Sequence, residues 1–72
     1  MFNDNLAMLR KQAGVSQAEL AAAIGVSRQA VSKYENGTAE PDIAKLTQLK
    51  QYFDVSFDQL LDGAQPRVSQ SS

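Results

Sequence analysis

Four hydrogen-bonding side chains, Arg28, Gln29, Ser32 and Lys33, cluster near the middle of a 72-residue chain. A guanidinium offers a parallel pair of N–H donors that fits the O6 and N7 acceptors of guanine. A carboxamide offers one donor and one acceptor, which fits N6 and N7 of adenine. Lysine reaches guanine or a phosphate, and serine serves either kind of base edge. Each good bidentate pair discriminates against a wrong base by about 1–3 kcal/mol. On an ordinary helix the same four residues would simply be a solvated face. The question is whether the fold makes them protrude.

The remaining inventory narrows the chemistry. The chain has no cysteine and no histidine, which removes thiolates, disulfides, and the commonest general base and metal ligand. The carboxylates show no pairing suited to acid–base work and no metal-ligand spacing. No catalytic residue, metal or cofactor is expected, and an enzyme is not.

The elements that position the cluster are helices. Phe2, Leu6, Leu9 and Ala13 recur at amphipathic spacing, which predicts a first helix over Asn3 to Ala13 with Gly14 as its stop. Ser16 and Glu19 have capping-box spacing and open a second helix. Its buried stripe is read as Ala18, Leu20, Ala21 and Ile24, and Gly25 ends it. Ser27 is a natural N-cap for a third helix running to about Asn36, with Ala30, Val31 and Tyr34 inward. Asn36-Gly37 is a turn signal. Pro41 stands near the start of a fourth helix, traced by Ile43, Leu46, Leu49 and Phe53. Ser56 and Gln59 form a second capping box ahead of Phe57, Leu60 and Leu61, a short fifth helix ended by Gly63. No strand pattern competes. The fold class is therefore all-α, a five-helix bundle over residues 1–63. The polar stretch 64–72 is expected to be a disordered tail or linker.

The turn between the second and third helices is too short for them to run antiparallel. They must cross steeply, as in a helix-turn-helix over about residues 17–36, with Ala21 and Gly25 small enough to allow a close crossing. Val31 and Tyr34 would anchor the third helix on the first two. Arg28, Gln29, Ser32 and Lys33 then point outward on a helix sized for the major groove of B-form DNA, about 12 Å wide.

SQAELAAAIGVSRQAVSKYENG and PDIAKLTQLKQYFDVSFDQLLDG together resemble the phage-repressor and Cro-type helix-turn-helix family, the XRE-like transcriptional regulators, over about Leu6 to Gly63. The resemblance implies a lambda-repressor-like DNA-binding domain. It also implies roles: base reading by Arg28, Gln29, Ser32 and Lys33, and backbone contact by Gln17, Ser27, Asn36 and Thr38, with the Gly37 and Thr38 amides helping. Gln17 is similar to a family glutamine that also steadies the first recognition residue. Arg10 and Glu35 match a buried ion pair of some members, in keeping with Arg10 lying near the inner stripe of the first helix. Each role has a plain counterpart: Ser27 as an N-cap, Gln17 as an exposed glutamine, Asn36 as a turn residue. Phe57 begins a helix through which family members often dimerise; its alternative is packing on Leu61. Lys45, Lys50 and Arg67 read as solvated charges.

The net charge of −1 runs mildly against nucleic acid, whose binders usually carry a basic excess. Distribution matters more than the total. No acid separates Arg28 from Lys33, whereas Asp54, Asp58 and Asp62 lie late in the chain. No apolar run approaches the ~20 residues that span a bilayer, and no signal-peptide pattern is present, so a cytoplasmic chain is expected. The expected function is operator binding by a homodimer on an inverted repeat, as a repressor. The rival is a protein-interaction module of the same fold, an antitoxin or docking domain using the late acidic face and Phe57.

Overall fold

Three sequence-local devices start the middle and last helices. The Ser16 amide donates to Glu19 Oε1 at 2.7 Å while the Glu19 amide donates to Ser16 Oγ at 3.0 Å, so the expected capping box is closed in both directions. The Ala30 amide donates to Ser27 Oγ at 3.0 Å. Ser56 and Gln59 form the same reciprocal pair as Ser16 and Glu19. Each cap satisfies amides that a helix leaves open in its first turn.

A computed structural model describes residues 2–62; Gly63 and the 64–72 segment fall outside them. The order is α1 (Phe2–Ala13), α2 (Gln17–Ile24), α3 (Arg28–Asn36), α4 (Ile43–Phe53) and α5 (Phe57–Asp62). No strand occurs among the described residues, so the fold is all-α. No helix among them is long and apolar enough to cross a membrane.

Every helix contributes to one core: Leu6 from α1, Leu20, Ala21 and Ile24 from α2, Val31 and Tyr34 from α3, Leu49 from α4 and Leu60 from α5. The tightest packing joins α3 to both α2 and α1, and α5 closes against α1. The α2–α3 turn therefore rests on the densest part of the molecule.

Several expected core positions are not buried. Ala13 and Ala18 are exposed, because both flank their stripes. The α1 stripe is Phe2, Asn5, Leu6 and Leu9. Asn5 is buried within it, with its side-chain amide donating to the Leu60 carbonyl at 3.5 Å. Ile43 is 73% exposed: it is the first residue of α4, and only Leu46, Leu49 and Phe53 further along reach the core. The cap of α4 is Asp42, whose carboxylate accepts from the Lys45 amide at 2.9 Å, and the buried Pro41 precedes it. Gly25 does not serve close helix crossing. A Cβ there would meet only the Lys45 ammonium, at an unstrained 3.7 Å, whereas its φ of +74° is the left-handed conformation that glycine adopts at no steric cost.

Candidate nucleic-acid interface

Helix α3 has two unlike faces. Val31 and Tyr34 are buried in the core and Ala30 packs partly against it. Arg28, Gln29 and Lys33 are exposed and Ser32 is half-buried. Ser27 is exposed, and its hydroxyl oxygen accepts from the Ala30 amide, which leaves the hydroxyl's donor capacity unspent by the cap. An open groove along this side is lined by Ser27, Gln29 and Lys33 together with Ala39 and Glu40 of the loop after α3. Glu40 is absent from the sequence-based site. It brings a carboxylate, repelled by phosphate and able to accept from cytosine N4, into the space beside Gln29 and Lys33.

The position of Arg28 is set from inside. The Arg10 guanidinium donates through Nε to Glu35 Oε2 at 2.6 Å and through Nη2 to Glu35 Oε1 at 3.3 Å. Its third arm, Nη1, donates to the Val15 carbonyl at 2.9 Å. The two side chains are only 14% and 9% exposed. A buried pair is costly to desolvate and is tolerated when hydrogen bonds satisfy its remaining valences. Gln17 supplies one of these, donating through Nε2 to Glu35 Oε1 at 3.1 Å. Its carbonyl, Oε1, accepts from Arg28 Nη1 at 3.5 Å. A chain of hydrogen bonds thus runs from α1 through α3 and α2 back to the exposed guanidinium at the start of α3.

Gln17 has a sequence signature that goes unused when it is read as an exposed residue. It stands at i relative to Leu20, Ala21 and Ile24 at i+3, i+4 and i+7, the first position of the inward stripe. A polar residue there must find an internal partner, and it finds Glu35. One Nε2 hydrogen remains for an external acceptor.

The turn after α3 is engaged with itself. The amides of Gly37 and Thr38 both donate to the Lys33 carbonyl. The Thr38 amide and hydroxyl both donate to Asn36 Oδ1, at 3.1 and 2.7 Å. The donors expected from Gly37 and Thr38 are therefore committed within the turn. The Asn36 Nδ2 group is left as the outward donor.

The charges read as solvated are also corrected. Lys45 is half-buried and donates to the Ile24 carbonyl at 2.9 Å. Lys50 is half-buried, with its ammonium 5.5 Å from the centroid of the Phe57 ring. Arg67 lies outside the described residues. Phe57 itself is 39% exposed and Leu61 38%, while Leu60 carries the core contact of α5.

A family model described as "Helix-turn-helix" matches residues 6–60. Over 63 residues the chain is 44% identical to the SPbeta prophage-derived uncharacterized HTH-type transcriptional regulator YonR of Bacillus subtilis (strain 168), covering 88% of this chain and 58% of that protein. It is 41% identical, also over 63 residues, to the uncharacterized HTH-type transcriptional regulator YqaE of the same organism, covering 88% of this chain and 54% of that protein. The chain thus spans a little over half the length of these relatives. Among solved structures, the P22 c2 repressor protein in complex with a synthetic operator matches with a TM-score of 0.83 at 31% identity, covering 89% of this chain and 97% of that one.

Proposed function

The chain belongs to the helix-turn-helix family, whose members named above are transcriptional regulators and not enzymes, and on that premise we propose that it binds operator DNA as a repressor. Helix α3 enters the major groove. Arg28, Gln29, Ser32 and Lys33 read base edges, while Gln17, Ser27 and the Asn36 amide group hold the backbone. Backbone contacts set register and base contacts set sequence preference. Thr38 supports Asn36 rather than touching a phosphate. Residues 1–63 act as the DNA-binding domain of a cytoplasmic protein.

The observation that carries this reading is the hydrogen bond between Gln17 and Arg28, backed by the Arg10–Glu35 pair. The contact is long, at 3.5 Å, and exposed, so it restricts the guanidinium rather than locking it; an arginine already restricted loses less entropy on meeting a base edge. The likeness to a repressor whose structure holds an operator supports it further.

A homodimer on an inverted repeat completes the proposal, with half-sites about 34 Å apart and Phe57 at the two-fold contact. The 39% exposure of Phe57 supports that role over packing on Leu61 alone. Arg28 and Lys33 are the principal cations; were each to neutralise a phosphate as well as read a base, a dimer would neutralise about four or fewer, so log K should fall with log salt at a slope no steeper than about −3.6.

Selection of bound sequences from a random duplex library at low and moderate salt tests the function. An inverted repeat is the expected product. A lone half-site would remove the dimer, and no enrichment at either salt would favour the protein-interaction module instead.

A further inference from the structure

We infer that Lys45 is a positioning residue of the recognition unit: its ammonium, reaching across from α4, closes the end of α2 and fixes the turn from which α3 is presented. The inference rests on the reading of α3 as the DNA-reading helix.

The last carbonyls of a helix carry partial negative charge and lack amide partners, and a cation in the final turn compensates both. Helices α1, α3 and α4 carry their own: Arg10 and Lys11, Lys33, and Lys50. Helix α2 has no basic residue in its last turn. Its Ala21 carbonyl accepts from the Gly25 and Val26 amides. The final carbonyl, that of Ile24, accepts instead from Lys45 Nζ at 2.9 Å. The missing charge is thus supplied from another helix.

The surroundings make this a strut. The backbone of Lys45 is held by Asp42, whose carboxylate accepts from the Lys45 amide, and its side chain is held by Ile24. The first turn of α4 is thereby tied to the last turn of α2. Among the described residues other than its chain neighbours, a Cβ built at Gly25 would find the Lys45 ammonium at 3.7 Å and no other atom within 4 Å, so that side chain covers this side of the turn. Only Gly25, Val26 and the cap Ser27 lie between Ile24 and Arg28. A shift at the end of α2 is therefore passed on to the start of α3, where Arg28 meets Gln17. A half-buried ammonium engaged with a protein carbonyl sets orientation and is committed away from phosphate.

The two roles separate by salt dependence. The unmodified chain and the Lys45→Met, Lys45→Gln and Lys45→Arg variants are titrated with a selected site and with a mixed-sequence duplex at several salt concentrations, well below each melting temperature. Lys45→Met is expected to weaken the selected site roughly tenfold, the scale of one charge-assisted hydrogen bond. The salt slope should stay unchanged, and Lys45→Arg should restore most of the affinity. Without DNA, amide resonances of Gly25, Val26 and Arg28 should shift in Lys45→Met. Where that variant does not fold, Lys45→Gln carries the same expectations. A slope shallower by about 0.9 per chain on both duplexes would make Lys45 a phosphate ligand and overturn the inference. So would unchanged affinity, or resonances that do not move. If the unmodified chain selects no DNA, the functional reading fails by itself, and the resonances still decide whether Lys45 holds the turn.

Discussion

Helix α3 and the α4–α5 end expose different surfaces: the first shows cations and amides, the second sets exposed Asp54 and Asp58 among half-exposed apolar groups. Around its buried Val31 and Tyr34, α3 shows arginine, glutamine and lysine. The other end shows Tyr52 at 40%, Phe57 at 39% and Leu61 at 38% exposure, with the Tyr52 and Phe53 rings edge to face at 5.0 Å and the Lys50 ammonium over Phe57. A polar, hydrated surface suits a partner that is itself polar and is gained and lost with salt; a cluster of half-exposed aromatic and aliphatic groups suits one that excludes water. The contrast extends inward. The α3 face is braced by a side-chain network built on a buried ion pair, whereas α5 is held by the packing of Leu60 and one hydrogen bond from Asn5 to the Leu60 carbonyl.

The largest test of that contrast strikes the brace. Glu35→Gln leaves Arg10 buried without its counter-charge and should cost about 3–5 kcal/mol of stability, measured by urea unfolding. The double replacement Arg10→Met with Glu35→Leu should regain much of that loss, since a buried pair is often replaceable by apolar residues. It should still bind the selected site more weakly than the unmodified chain, because Gln17 has lost the partner that orients it. Full recovery of binding would show that the network serves stability alone.

Next in size is the polar face itself. Arg28→Ala with Gln29→Ala should leave the melting temperature nearly unchanged and remove about 1–3 kcal/mol of discrimination at each base read, seen as relaxed sequence preference in the selection. Retained preference would take base reading away from these residues. At the apolar end, Phe57→Ser should weaken self-association by roughly 1 kcal/mol or more, followed by sedentimentation equilibrium and by loss of cooperative binding to the inverted repeat. Binding to a single half-site should not change. The smallest effect is expected at Asp54, which caps α4 with a φ of +56°. Asp54→Gly should stabilise the chain by roughly 0.5 kcal/mol, because relief of the left-handed strain outweighs the entropy added to the unfolded state. A loss of stability would mean that the carboxylate contributes, since the cap itself is made by the Asp54 backbone amide.

The helix order was legible because its signals are local. Ser16 with Glu19, Ser27 with Ala30, and Ser56 with Gln59 each settle a helix start within four residues. Burial was less legible, since it depends on which neighbours a stripe meets. Ile43 keeps the spacing of Leu46, Leu49 and Phe53 yet begins its helix outside the core, and Ala13 and Ala18 sit on the margins of theirs. The polar interior was half visible. Arg10 and Glu35 followed from the family resemblance. Gln17 and Asn5 are both polar on apolar stripes, a positional sign of internal hydrogen bonds that the sequence reading leaves unused. Lys45 carries no such mark, because its partner is the backbone of Ile24 on another helix, and Glu40 enters the groove only through the path of the loop after α3.

Of the four residues proposed to read bases, Arg28 holds a side-chain hydrogen bond within the described residues, and Gln29, Ser32 and Lys33 hold none there. Reversing the Gln17 carboxamide would set acceptor against Glu35 and donor against Arg28, so its orientation is fixed by both ends. On the proposed reading, the recognition surface would have one anchored letter and three adjustable ones. Descendants of this chain that acquire new binding sites should do so first by substitution at positions 29, 32 and 33, keeping the base read by residue 28 as their common inheritance.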